Sequence, residues 1–259
     1  MGGTVVRGRA RGEAACGRGC RGGRGGVAVC HSGAVYREQE VWSAEAASGL
    51  VLPDGCMDLI WSERVGLLVA GPDTRGRWVD PGVASGRATG LRFAPGRGPV
   101  VVGVPAWELR DRLVPLGEVW PQRAVRELAE RVAGAGDPGA VLAGAAARRV
   151  AAVGPPEPWR AWAASALGRG CPVAEVARRL GVSERQLRRR CQVAFGYGPK
   201  TLARVLRMRR ALGWARAGVP GAEVAVRAGY ADQAHLSREV RGLAGVPLSA
   251  LVAARGPVS

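Results

Sequence analysis

One pattern occurs twice in the last third of this 259-residue chain, and it limits the fold more than any other feature. The two copies are "EVARRLGVSERQLRRRCQVAFG" (175–196) and "EVAVRAGYADQAHLSREVRGLAG" (223–245). Leu187 and Leu236, Arg189 and Arg238, and Gly196 and Gly245 stand 49 positions apart. Ala177 and Ala225, like Gly181 and Gly229, stand 48 apart, so the second copy carries one extra residue in its turn. Such self-similarity marks a duplicated structural unit. Within each copy the Ala lets two helices approach, the Gly makes the corner and the Leu closes the core, which is helix-turn-helix spacing. Between the copies, "PKTLARVLRMRRALGWARAG" reads as one helix from Pro199 to about Gly218. Leu202, Val205, Leu206 and Leu212 form its inner face, and Arg204, Arg207 and Arg210 are expected outside or near phosphates.

Charge is concentrated where the duplication lies. Of the net +17, residues 1–30 hold six Arg and one acid, residues 31–156 hold 14 basic and 14 acidic groups, and residues 157–259 hold 18 basic and six acidic groups. The balances are +5, 0 and +12, a neutral middle followed by a basic C-terminal domain that needs an anionic partner. In the first recurrence, Leu187 and Cys191 take the buried face, so Arg185, Arg188 and Arg189 project from the opposite one, and Ser183 is placed to cap the helix. A helix of that kind suits the major groove.

The preceding chain reads differently. Residues 1–30 are low-complexity Gly/Arg and are expected to be disordered. From Val35 to about Val104, short apolar runs ("VYREQEVW", "GLVLPDGCMDLIW", "GLLVAGP", "GLRFAPG", "VVVGVP") alternate with turn formers, as in strands of a small barrel or sandwich. A helical stretch is expected from Pro105, divided at Pro115 and Pro121, with an Ala-rich helix at about 139–153. The Pro cluster at 155–158 then makes the best boundary. The fold class is α+β: a disordered extension (1–30), a β-rich N-terminal domain of effector or dimerisation type with packed helices (31–154), and an all-α domain of two helix-turn-helix units joined by a linker helix (155–259).

Two such units on one linker helix resemble the AraC/XylS-type transcriptional regulators, through "EVARRLGVSERQLRRRCQVAFGYGPKTLARVLRMRRAL" and "EVAVRAGYADQAHLSREVRGLAGVPLSAL". The resemblance covers about 100 residues. It departs at Leu248, where the family usually has a Pro, and at Cys191, a position more often aromatic. The region Trp42 to Trp120 is similar to an uncharacterised N-terminal domain found in a subset of these regulators. The resemblance implies a cytoplasmic, sequence-specific regulator of promoter DNA. Its DNA-binding set would be Ser183, Arg185, Gln186, Arg188, Arg189 and Arg207, with Gln233, His235, Ser237 and Arg238 from the second unit and Asp232 as that unit's cap. RNA polymerase and a small-molecule effector are the further partners it suggests, on a monomer or homodimer.

Other chemistries find less support. Asp54, Asp58, Asp73 and Asp80 offer paired carboxylates, yet the chain has two His, no phosphate-cradling Gly loop after a strand and no Ser/His/Asp set, and Asp54 in "PDG" reads as a turn residue. No enzyme activity and no cofactor are expected. A DNA-repair activator would need a reactive Cys, whereas Cys56 lies between two acids that raise its pKa. An architectural DNA-binding protein without effector control is the remaining alternative. Cys16, Cys20, Cys30 and His31 lack a hydrophobic scaffold for zinc, so no metal is expected. No apolar run reaches the roughly 18 residues that span a bilayer. The scattered Cys fit reduced thiols.

Overall fold

Successive side chains leave a strand on opposite faces, and strand β3 (Met57–Ser62) uses this to separate two environments. Met57 and Leu59 enter an apolar core, while Asp58, Ile60 and Ser62 line a cavity on the other face. The same alternation holds in β4 (Gly66–Ala70) and β6 (Arg87–Phe93), where Leu67, Val69, Leu91 and Phe93 face the core and Leu68, Ala70, Ala88 and Arg92 face the cavity. The computed structural model describes residues 39–45, 49–79 and 86–253. The expected 1–30 extension and Cys16, Cys20, Cys30 and His31 lie outside them.

With β1 (Gln39–Glu45) and β7 (Leu113–Pro115), these strands form a five-stranded antiparallel sheet of order β1-β6-β3-β4-β7. A ribbon of β2 (Leu50–Val51) and β5 (Arg77–Trp78) makes a second, two-stranded sheet. The described strands therefore make an open sheet and a ribbon, where a barrel or sandwich was expected. Helices cover one sheet face: α1 (Gly98–Val102), α2 (Gln122–Ala133) and α3 (Pro138–Val153) contribute Val101, Val102, Leu128, Val132 and Leu142 to its core.

Two sequence expectations change here. "VVVGVP" is the helix α1 and its exit, because Pro99 presets the first turn and Gly103, at φ 91°, ends it in the left-handed region. The stretch from Pro105 is two 3₁₀ turns (Ala106–Leu109 and Leu116–Glu118) flanking β7, and regular helix begins only at Gln122. Pro115 suits this place at the end of an edge strand.

The chain then becomes helical: α4 (Pro158–Gly168), α5 (Val173–Arg179), α6 (Glu184–Phe195), α7 (Pro199–Arg216), α8 (Gly221–Ala228), α9 (Gln233–Ala244) and α10 (Leu248–Ala253). The α5–α6 and α8–α9 pairs are the two helix-turn-helix units, and α7 joins them. Leu202, Val205, Leu206, Met208, Ala211 and Leu212 of α7 are buried in one core with Leu187 and Cys191 from the first unit and Leu236 and Val240 from the second. Leu50 and Leu52, from the ribbon region, belong to this same core.

Gly90 stands opposite Trp42 in the β1–β6 register, and a Cβ there would lie 2.2 Å from the indole. Gly90→Ala should therefore displace the Trp42 ring and destabilise the fold by about 1–3 kcal/mol, the usual cost of overpacking, read as a lowered midpoint in urea unfolding.

Candidate nucleic-acid interface

Each unit's second helix begins on a side-chain cap. Ser183 Oγ accepts from the Gln186 backbone N–H at 3.2 Å while Gln186 Oε1 accepts from the Ser183 N–H at 2.8 Å, a reciprocal capping box. In the second unit, Asp232 Oδ1 accepts from the His235 N–H at 2.6 Å. Both helices end on a left-handed Gly, Gly196 at φ 83° and Gly245 at φ 77°. Start, stop and buried residues thus recur at the same 49-residue offset. The extra residue of the second turn lies in Gly229-Tyr230-Ala231-Asp232, against Gly181-Val182-Ser183 in the first.

The caps fix which side chains face out. On α6, Leu187, Cys191, Ala194 and Phe195 are buried, and Ser183, Arg185, Gln186, Arg188 and Arg189 are exposed. Among the described residues, no carboxylate forms an ion pair with Arg185, Arg188 or Arg189, so their guanidinium groups are available to an external anion. On α9, Gln233, Ser237 and Arg238 are exposed. His235 is half-buried, its ring meeting Tyr230 edge-on at 5.2 Å and its Nδ1 accepting from the Ala231 N–H at 3.4 Å. Ser183, Gln186 and His235 therefore serve the helix starts as well as the surface.

Of the arginines of α7, Arg204 lies outside as expected, while Arg207 and Arg210 are more covered. Arg207 is half-buried, ion-paired with Glu239 and stacked over the Tyr230 ring at 4.3 Å. Arg204 meets the same carboxylate at 3.4 Å. Arg210 donates to the Gly168 carbonyl and lies over Trp214 at 5.0 Å. These three cations tie the linker helix to its neighbours because α9 and the end of α4 bring acceptors over its outer flank. Sequence reasoning missed Glu239; the repeat offered a signal, since Glu239 stands 49 positions after Arg190, a charge reversal between copies.

The N-terminal region reaches the far ends of both exposed helices. At α6, the 3₁₀ turn Ala106–Leu109 packs on the helix, Arg110 Nη1 donates to the Gly196 carbonyl at 3.4 Å, and a Cβ on Gly196 would lie 2.4 Å from Pro72. At α9, the Gly76 N–H donates to the Leu243 carbonyl at 2.6 Å, and a Cβ on Gly76 would lie 2.4 Å from the Ala244 carbonyl oxygen. The segment between β4 and β5 thus touches both C-terminal helix ends. It is braced by Asp111, a non-glycine residue at φ 59°, whose carboxylate accepts from the Thr74 N–H at 2.6 Å and the Thr74 hydroxyl at 2.9 Å.

Other reactive groups are shielded. Burial, followed by the Asp54 charge, pushes the Cys56 thiol well above its ordinary range, and burial pushes the Cys191 thiol up to about 12. Neither is an activated thiolate. Among the described residues, no three His, Cys, Asp or Glu groups are placed to hold a metal, and no helix is long and apolar enough to cross a membrane.

Two capped helices with outward arginines, held on a shared linker helix, make a double helix-turn-helix arrangement. Residues 176–254 match a helix-turn-helix domain, and residues 35–115 match a domain of unknown function, DUF6597. No curated protein matches the chain. Similar solved structures include ToxT from Vibrio cholerae at TM-score 0.43 and 9% identity, covering 84% of this chain and 98% of that one. Another is ToxT bound to (E)-4-(8-methylnaphthalen-1-yl)but-3-enoic acid, at 0.41 and 10%, covering 82% and 97%. A third is wild-type ToxT bound to unsaturated fatty acid, at 0.39 and 8%, covering 83% and 94%.

Glu239→Gln removes the carboxylate shared by Arg204 and Arg207. With one partner half-exposed, the expected loss is about 1–3 kcal/mol, between that of an exposed and a buried pair, measured by urea unfolding.

Proposed function

We propose that this protein reads promoter DNA by placing α6 and α9 in successive major-groove segments on one side of the duplex, about 34 Å apart. The observation that carries this reading is the pair of capped helices at one sequence offset, with exposed Arg185, Arg188 and Arg189 on the first and Gln233, Ser237 and Arg238 on the second. An Arg fork bonds O6 and N7 of one guanine together, which is worth about 1–3 kcal/mol of discrimination. Ser183 and Gln186 enter as the start of the first reading helix, His235 as the start of the second, and Arg207 as a brace that fixes their relative placement. Residues 155–259 are the DNA-binding domain in this reading and 31–154 the domain that controls it, in a cytoplasmic monomer or homodimer acting on RNA polymerase at the promoter.

The test is binding of the full chain to DNA upstream of its own gene and to shuffled DNA of equal length, across a salt series. Log affinity should fall with log salt for both, by about 0.9 per phosphate neutralised. The upstream DNA should win by about a thousandfold or more. Equal binding there, followed by no enriched site in a selection from random sequences, would leave an architectural protein. Arg189→Ala should lower the preference about tenfold while sparing affinity for shuffled DNA; a uniform loss across sequences would reassign Arg189 to phosphate.

A further inference from the structure

Helices α6 and α9 bury the same side of themselves: Leu187, Cys191, Ala194 and Phe195 on the first, and Leu236, Val240, Leu243 and Ala244 on the second, each pair 49 positions apart. Because caps and stops recur at that offset too, the two helices can be compared residue by residue. At about 100° per residue, the line opposite the buried side passes through Arg185 and Arg189 on α6 and through Ala234 and Arg238 on α9. All four are exposed.

The residues around this line are engaged within the protein. Ser183 and Gln186 close the capping box, and His235 Nδ1 accepts from the Ala231 N–H. The Gln233 amide lies over the start of α8, where a Cβ on Gly221 would come within 2.9 Å of its Nε2. The stem of Arg188 runs beside the turn into α7, its Cγ 3.6 Å from where a Cβ on Gly198 would stand. Its guanidinium therefore leaves α6 on a flank, a direction that suits phosphate rather than base edges.

Matching positions on the line carry unequal chemistry. Arg189 and Arg238 repeat one donor fork, of the kind that bonds O6 and N7 of a guanine, whereas Arg185 corresponds to Ala234, a fork against a methyl group. A short apolar side chain at a base edge meets the C5-methyl of thymine and offers guanine no donor. Arg185 and Arg189 stand about 6 Å apart along the helix axis, about two base steps, so their guanines are neighbours or lie one pair apart.

We propose that the operator has two unlike segments. Helix α6 takes one with two guanines, through Arg185 and Arg189, and α9 takes one with a single guanine at Arg238 and a thymine methyl against Ala234. This rests on the DNA-reading function proposed above and specifies its ligand. Ala234 is the residue that sets the second segment apart from the first, and Arg188 holds phosphate without regard to sequence.

The test is a selection of sites by the full chain from random-sequence duplexes, repeated with Arg185→Ala, Ala234→Arg and Arg188→Ala, all at exposed positions. The natural chain should enrich a site whose two segments, about one helical turn apart, differ as stated. Arg185→Ala should erase one guanine preference in the richer segment, and Ala234→Arg should turn the thymine of the other into guanine, so the columns that change mark the segment of each helix. Arg188→Ala should weaken all duplexes alike and leave the enriched site as it was. On the selected site, deoxyuridine in place of that thymine should weaken binding of the natural chain about fourfold, the effect of burying one methyl group, and leave binding of Ala234→Arg unchanged. An enriched site with equal guanine content in both segments, a thymine column that Ala234→Arg does not alter, or deoxyuridine bound as well as thymine overturns this inference and leaves the DNA reading standing. A changed base preference in Arg188→Ala does the same. No enriched site for the natural chain overturns both.

Discussion

Short helices cannot bury enough apolar surface to stand by themselves, and everything in the C-terminal half follows from how that shortage is met. Helices α5 and α8 have seven and eight residues, and α6 and α9 have 12 each. Helices α6, α8 and α9 pack on the 18-residue helix α7, and α5 packs on α4 and α6. Leu202, Val205, Leu206, Met208, Ala211 and Leu212 of α7 lie in a single core with residues of both units. The shared core removes any freedom of one unit to turn relative to the other. The ion pairs from Arg204 and Arg207 to Glu239 add direction, since a half-buried carboxylate held by two guanidinium groups on one helix leaves few alternative seatings for α9.

The duplicated units were legible in the sequence because their determinants are local. Ala177 and Ala225 at the helix contact, Gly181 and Gly229 at the corner, Leu187 and Leu236 in the core, and Ser183 and Asp232 at the helix starts each act within a few residues of chain. The outward arginines of α6 follow from the same periodicity. What the sequence hid is what depends on a second segment arriving from elsewhere. Whether Arg204 and Arg207 meet a carboxylate and Arg210 a backbone carbonyl depends on where α9 and α4 come to rest, and no helical wheel contains that information. The N-terminal half shows the same divide. Its strands were readable as short apolar runs, yet the apolar run at Val100–Val102 became helical because Pro99 preset its backbone, and Leu113 became an edge strand because β4 offered it a hydrogen-bonding partner.

Asp54 illustrates how one residue serves both levels. Its place between Pro53 and Gly55 marks it as a turn residue, and its Oδ1 does accept the Cys56 N–H two positions on. The other carboxylate oxygen acts over long sequence distances, facing Arg92 on the sheet and Arg209 on the linker helix. Gly71 is a similar case: a Cβ there would lie 1.7 Å from the Leu109 carbonyl oxygen, so the chain tolerates only Gly where the segment approaching α6 and α9 leaves β4. Neither constraint is visible in composition or periodicity.

Leu50 and Leu52 precede the Pro cluster at 155–158 by a hundred residues, yet they are buried among the side chains of the helical half. A cut at the Pro cluster would therefore not release a finished module. It would strip two leucines from their seats and present an apolar scar on the helical fragment. The same holds for recombination: a foreign N-terminal half joined to these helices would have to bring its own apolar plug to that spot. The two halves of this chain are thus partners in one folding reaction, and their histories of substitution should be tied at that seam even where they share no ligand.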